Sequence, residues 1–245
     1  MNPDKIIKEE LLATLTGLRW SLLSLRYGGI ADWPHMAGLE TMPAKGPSHI
    51  GQPATEHENS VDGEKVLSSI QRDLGDCTRC RLHRTRTRIV FGEGSVGASI
   101  VFVGEGPGFE EDQQGRPFVG RAGKLLDKMI RALGLAREQV YICNMVKCRP
   151  PDNRTPNSDE IEVCSPFLVK QIEAIRPQVI CALGACSAQN LLHSTSPISR
   201  LRGKIHHWRG IPLVATFHPA YLLRNPAQKS AAWHDLVELL RIVSG

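Results

Sequence analysis

Four of the seven cysteines are spaced as ligands. Cys77 and Cys80 form a C-x-x-C pair, and Cys148 and Cys164 stand far down the chain, separated by fifteen residues. Four thiolates drawn from two distant segments can hold a tetrahedral zinc ion or an iron–sulfur cluster. Structural zinc usually takes two close pairs and only one is present, so the spacing favours a cluster over zinc, with an unmetallated cysteine-rich surface as a third alternative. Cys143, Cys181 and Cys186 lie in or beside apolar runs and read as small core residues. Cys148 itself falls within NMVKCRPPDNRTP, residues 144–156, a stretch too charged for a core and too rich in proline for a flexible linker. Pro150, Pro151 and Pro156 would stiffen it, and Lys147, Arg149 and Arg154 would then be held on a fixed surface.

A second chemical signal is VGEGPG at 103–108. It is not a dinucleotide fingerprint, because Pro107 and the early Gly108 break the G-x-G-x-x-G spacing. GRAGKLL at 120–126 likewise lacks the spacing and the Ser/Thr of a phosphate-binding P-loop. What remains is close backbone approach to some ligand, with Glu105 at a strand end facing it.

The elements that must position these residues alternate. Apolar runs at Ile100–Val103, Val140–Cys143, Val179–Leu183 and Leu213–Thr216 are separated by helical patterns near 121–133, 158–175, 185–192 and 229–243. This rhythm predicts an α/β fold, a mainly parallel four-stranded sheet covered by helices on both faces. Ligands bind such sheets beyond the carboxyl ends of the strands, where GEGPG, NMVKC and HPAYLLR follow the first, second and fourth runs. The third run leads into Gly184-Ala185-Cys186, which reads as a plain turn into a helix.

Ahead of this body, residues 4–26 show the three- and four-residue spacing of an amphipathic helix, and 28–63 gather Gly, Pro, Ser and His as a linker does. The boundary is expected near 64, with 1–64 an N-terminal extension suited to docking a protein partner or to self-association, or packed on the body. Residues 1–64 hold five Lys/Arg against nine Asp/Glu, and 65–245 hold 25 against 16, so the basic charge lies in the body and fits a polyanionic partner. No apolar run approaches the ~20 residues of a membrane span. The acidic start MNPDKIIKEELL does not suit a secretory signal, so the expectation is a cytosolic protein whose cysteines are not a disulfide framework.

Taken in order, GEGPG (104–108), GRPFVGRAG (115–123), NMVKCRPPDNR (144–154), HPAYLLR (218–224) and the four-cysteine pattern resemble the type 4 iron–sulfur uracil-DNA glycosylases. The resemblance covers residues 65–245 and leaves 1–64 outside. It implies a three-layer α/β/α fold, a 4Fe-4S cluster on Cys77, Cys80, Cys148 and Cys164, and hydrolytic removal of uracil from uracil-containing DNA, leaving an abasic site. The related type 5 enzymes lack the first-loop acid that Glu105 supplies. Proteins of the same fold that trap uracil covalently carry a His in an added basic loop, and CRLHRTRTRIVFG (80–92) shows no clear insertion.

Site roles follow from the resemblance. A glycosylase must evert its nucleotide into a pocket. Phe118 would stack on uracil, Gly106 would border it, and the Asn144 amide would match O4 and N3–H, a pattern that cytosine reverses. His218 would donate to O2 as negative charge grows on the departing ring. Glu105 and Asn153 would act as a pair near the sugar, either activating water or positioning the loop that does. Leu222 and Leu223 would wedge into the base stack, while Arg224, Lys147, Arg149 and Arg154 would contact phosphate. No lysine is tied to the pocket as a Schiff base, so strand cutting is not expected. A noncatalytic binder of uracil-DNA and an iron–sulfur electron carrier are the competing classes.

Overall fold

The computed structural model describes residues 56–244. The helix expected over 4–26 and its docking role lie outside them. The elements in chain order are α1 (Glu56–Leu74), β1 (Glu93–Gly94), β2 (Ile100–Gly104), α2 (Phe109–Gln114), α3 (Arg121–Ala132), β3 (Tyr141–Asn144), α4 (Ser158–Ile175), β4 (Val179–Leu183), α5 (Ala185–Leu192), α6 (Ile198–Leu201), β5 (Ile205–Trp208), β6 (Ile211–Thr216), α7 (Pro219–Arg224) and α8 (Lys229–Ser244).

The four apolar runs are the four parallel strands. They lie side by side in the order β3-β2-β4-β6, with Phe102 beside Ile142 and Cys181, and Cys181 beside Val214. β2, β3 and β4 are buried along their whole length, as parallel strands covered on both faces must be. Two antiparallel edge strands extend the sheet to six among the described residues: β1 beside β3, and β5 beside β6. Neither carries an apolar run. β1 is two residues long, and β5 reads IHHW with an exposed Ile205, so edge pairing leaves little trace in the sequence.

Strand alternation divides the core. Val101, Val103, Tyr141, Cys143, Ile180, Ala182, Leu213 and Ala215 form one cluster with Leu67, Ile70 and Leu74 of α1, Phe167, Leu168 and Ile172 of α4, and Leu191 of α5. The intervening Phe102, Ile142, Cys181 and Val214 point the other way, and the buried Leu126, Met129 and Ile130 of α3 and Leu236 of α8 belong to that second layer. On this side Asp235 of α8 accepts hydrogen bonds from the Thr216 hydroxyl at 2.7 Å, the Arg202 guanidinium and the Gly203 amide, tying α8 to the end of β6.

α1 begins inside the stretch read as linker and runs through position 64. The residues that join it to the core, Leu67, Ile70 and Leu74, lie in its second half, where α1 packs on α4. The polar first half has no such spacing to announce it.

Candidate active site

β2, β3, β4 and β6 run in the same direction, so Gly104-Glu105, Asn144, Gly184 and Phe217-His218 emerge at one edge of the sheet. Phe118 reaches this edge from the loop between α2 and α3. Gly104 explains how it comes so close. A Cβ built there would lie 2.3 Å from Asn144 Oδ1 and 2.6 Å from Phe118 Cζ, so the amide oxygen and the ring edge converge on a Cα that can carry no side chain. Asn144 is 1% exposed, and its Oδ1 is the one buried side-chain nitrogen or oxygen among the described residues that has no hydrogen-bond partner. Leaving such an acceptor buried and unpaired costs about 1–3 kcal/mol. Phe118 is also held at a cost: its φ of +49° is left-handed, which for a bulky residue carries strain of roughly 1–3 kcal/mol.

His218 closes the group, its ring centroid 5.7 Å from that of Phe118 with the planes at 32°. It occupies the N-cap of α7, and Pro219 supplies the first helical position, where a missing N–H costs nothing. The His218 ring does the work that Ser or Asp usually does at a cap: Nδ1 accepts the Ala220 N–H at 3.1 Å. In a neutral imidazole the accepting nitrogen carries no proton, so the proton sits on Nε2. Burial lowers the His218 pKa to about 4, aided by the positive charge of Arg224 and opposed by Glu111, which keeps the ring neutral at physiological pH. Gly184, with φ +92°, backs this residue; a Cβ there would lie 2.9 Å from His218 Cβ. The turn after β4 leads into α5, as expected, and also packs against His218.

Glu105 is half-buried, and burial raises its pKa despite a hydrogen bond from the Thr155 side chain. Thr155 lies two residues beyond Asn153 in the loop after β3, so the acid grips the loop and not the amide itself. Asp152 and Asn153 are both left-handed, at φ +53° and +54°. The Asn153 Oδ1 accepts from Arg149 Nε at 2.7 Å, which leaves its NH2 group pointing away from that bond. The Arg149 guanidinium lies over the exposed Phe109 ring, 5.2 Å from its centroid. Gly106 packs against the same loop, where a Cβ would lie 2.8 Å from Val146 Cγ2.

Two expectations are corrected. Lys147 is 0% exposed and is no phosphate contact: its Nζ donates to the Asn144 carbonyl at 2.9 Å and to Gln171 Oε1 at 2.6 Å. Gln171 in turn donates to the Phe91 carbonyl and the Tyr141 hydroxyl, so a buried polar network lies beneath the end of β3. The run of charge in the sequence concealed that Lys147 alternates inward. Leu222 is likewise 0% exposed and is a core residue of α7, leaving Leu223, at 36%, as the exposed member of the expected wedge. Arg154 makes a two-pronged ion pair with the buried Glu160 at 2.6 and 2.8 Å, which ties the loop to the start of α4. Arg224 is exposed at the end of α7.

The described cysteines are all free of disulfides. Cys148 and Cys164 are buried in the cluster against which Cys77 and Cys80 pack. Three of the sulfurs accept N–H groups: Cys77 from Arg79 at 3.4 Å, Cys148 from Arg86 at 3.4 Å and Cys164 from the Lys147 amide at 3.3 Å. Burial raises the Cys148 thiol to about 11 even so. Among the described residues no three His, Cys, Asp or Glu side chains close on the geometry of a single metal ion. Cys143, Cys181 and Cys186 are buried, as expected of core residues.

Comparison with known proteins finds the chain similar to the uracil-DNA glycosylases. The pattern of the uracil DNA glycosylase superfamily matches residues 91–237. The chain is 51% identical over 164 residues to a type-4 uracil-DNA glycosylase of Thermotoga maritima, covering 66% of this chain and 85% of that protein. It is 47% identical over 182 residues to the type-4 enzyme of Sulfurisphaera tokodaii, covering 71% and 83%. A type-5 uracil-DNA glycosylase of Pyrobaculum aerophilum is more distant, 30% identical over 165 residues, covering 60% and 72%.

The burial of His218 has a measurable consequence. Its folded pKa lies below the unfolded value, so protons favour the unfolded chain; the stability contributed is full above pH about 6.5 and is lost as pH falls toward 4. Imidazole nitrogen NMR is expected to show His218 as the neutral Nε2–H tautomer at pH 7, titrating near 4. A midpoint at the ordinary histidine value would contradict the assignment.

Proposed function

The chain belongs to the type-4 uracil-DNA glycosylases of the uracil DNA glycosylase superfamily, and on that premise we propose how its pocket removes uracil from DNA by hydrolysis. The observation that carries the reading is the unpaired Asn144 Oδ1, buried beside the Phe118 ring and the neutral His218.

The everted base slides over Gly104 and stacks on Phe118, with the Gly106 backbone at its border. Asn144 Oδ1 accepts the uracil N3–H and its NH2 group donates to O4. Cytosine, with an unprotonated N3 and an amino group at position 4, leaves both unsatisfied; sites that match a polar edge reject analogues that lack it. As the bond between the sugar C1′ and N1 breaks, its electron pair moves into the ring, and charge accumulates on O2. The proton that Ala220 directs to His218 Nε2 is then available as a hydrogen bond to O2. A neutral donor already in place needs no rearrangement at that moment. Water forms the new bond to C1′, and the proton it loses is taken up, through solvent, by the uracil anion that carried away the C1′–N1 electron pair. Glu105, through Thr155, fixes the loop that carries Asn153, whose free NH2 group orients the water. This geometry supports a positioning role for Glu105. Leu223 fills the gap left by the flipped base, and Arg149 and Arg224 contact phosphate.

Cys77, Cys80, Cys148 and Cys164 would hold the 4Fe-4S cluster. The donor set fits: four free thiols from two segments, three of them accepting N–H groups of the kind that tune cluster sulfurs. When bound, the cluster supplies a covalent clamp between the segment at 77–80 and the loop that begins at Asn144, and takes no part in base removal.

Incubation with a uracil-containing oligonucleotide followed by alkali is expected to give strand breaks at uracil alone, and His218→Ala to lower kcat by about 10²–10³-fold. Tight binding without breaks would contradict the enzyme and favour a noncatalytic binder. The purified protein is expected to be brown, with about four irons per chain; colourless, zinc-loaded protein would contradict the cluster.

A further inference from the structure

We infer that Glu111 is a positioning residue for Phe118, acting as a bridge between the two glycine loops of the pocket; the inference rests on the stacking role proposed above. Glu111 is the third residue of α2. One carboxylate oxygen, Oε2, accepts the N–H of Gly108 at 3.1 Å, the bond that caps this helix. Capping requires no more than that. The second oxygen reaches out of the helix and accepts two further amides, Val119 N–H and Gly120 N–H, both at 2.9 Å. These are the two residues that follow Phe118. A single carboxylate therefore joins the GEGPG loop, which emerges from β2, to the turn that carries the ring.

That turn cannot hold its shape by local preference, since Phe118 has φ +49°. It is gripped from its other side as well. Arg137 Nη2 donates to the Pro117 carbonyl at 2.5 Å and is itself fixed by Glu93 and Asp127. Gly123 leaves room for the Phe118 carbonyl, which would lie 1.9 Å from a Cβ at that position. Arg137 and Gly123 secure the backbone before and at Phe118, and Glu111 secures it after. Without Glu111, two amides lose their acceptor at the point where the left-handed conformation must be maintained.

The span, and not the charge alone, is what the geometry demands. Glutamine at 111 offers one oxygen, enough for Gly108 or for the Val119–Gly120 pair, but not for both. Aspartate keeps the charge, which His218 also feels, yet is one methylene too short to join the loops. Both are expected to lower kcat/KM for uracil excision by about 10-fold, and by no more than removal of the ring itself does. Affinity for uracil-free duplex is expected to stay at the wild-type value, and the thermal melting midpoint to fall by only about 2–4 °C, the cost of one lost hydrogen bond.

The decisive comparison is made in a second background. Phe118→Ala alone is expected to lose roughly 10- to 100-fold with the stacking contact. If Glu111 acts through the ring, Glu111→Gln adds no more than about twofold once the ring is gone, because the two residues are one unit. Full additivity of the two losses would overturn the inference. So would wild-type activity in Glu111→Asp beside an impaired Glu111→Gln, which would assign the effect to charge at His218. Should Glu111→Gln fold poorly, the Glu111→Asp and Phe118→Ala pair gives the same cycle. Failure of the wild-type protein to excise uracil would instead count against the function itself.

Discussion

A buried carbonyl oxygen with nothing to accept is the constraint around which this pocket is organised. Asn144 Oδ1 lies beneath the surface at the end of a parallel strand, and no protein group among those described reaches it. Its cost, about 1–3 kcal/mol, is offset when a hydrogen-bond donor reaches it. Such an arrangement persists because the groups around it are over-determined. Lys147 holds the Asn144 backbone carbonyl from below, Gln171 holds Lys147, and Tyr141 and Phe91 hold Gln171. The amide is therefore mounted on a rigid base beside Gly104 and the Phe118 ring.

The remaining pocket residues are fixed by similarly local devices. A left-handed Phe118 turn sets the ring, a helix cap sets the histidine tautomer, and glycines at 104 and 184 let the ring, amide and imidazole approach without a Cβ in the way. The parallel sheet brings these devices to one edge. Each is a discrete hydrogen bond or steric allowance within the protein itself.

The strands and helices of the body were legible because parallel strands buried on both faces are continuous apolar runs, and the helices between them keep their spacing. The edge strands β1 and β5 were not, since one is two residues long and the other carries two histidines. At the candidate site, strand-end position was enough to bring Asn144, Glu105 and His218 to one edge of the sheet. The direction of a side chain within a charged loop did not follow from its type. Lys147 looked like a surface cation and is the buried prop of Asn144; Leu222 looked like half of a wedge and is core. Gly184 and Thr155 gave no signal of their own, because their parts depend on contacts with His218 and Glu105 that are distant in sequence.

The central claim is that Asn144 Oδ1 accepts a hydrogen bond from the N3–H of the base. Product inhibition by free uracil compared with 3-methyluracil, which differs by the loss of the N3–H, tests it directly. Uracil is expected to inhibit excision and 3-methyluracil to bind about tenfold or more weakly, since the buried acceptor then stays unpaired. Equal inhibition by the two bases would contradict the account.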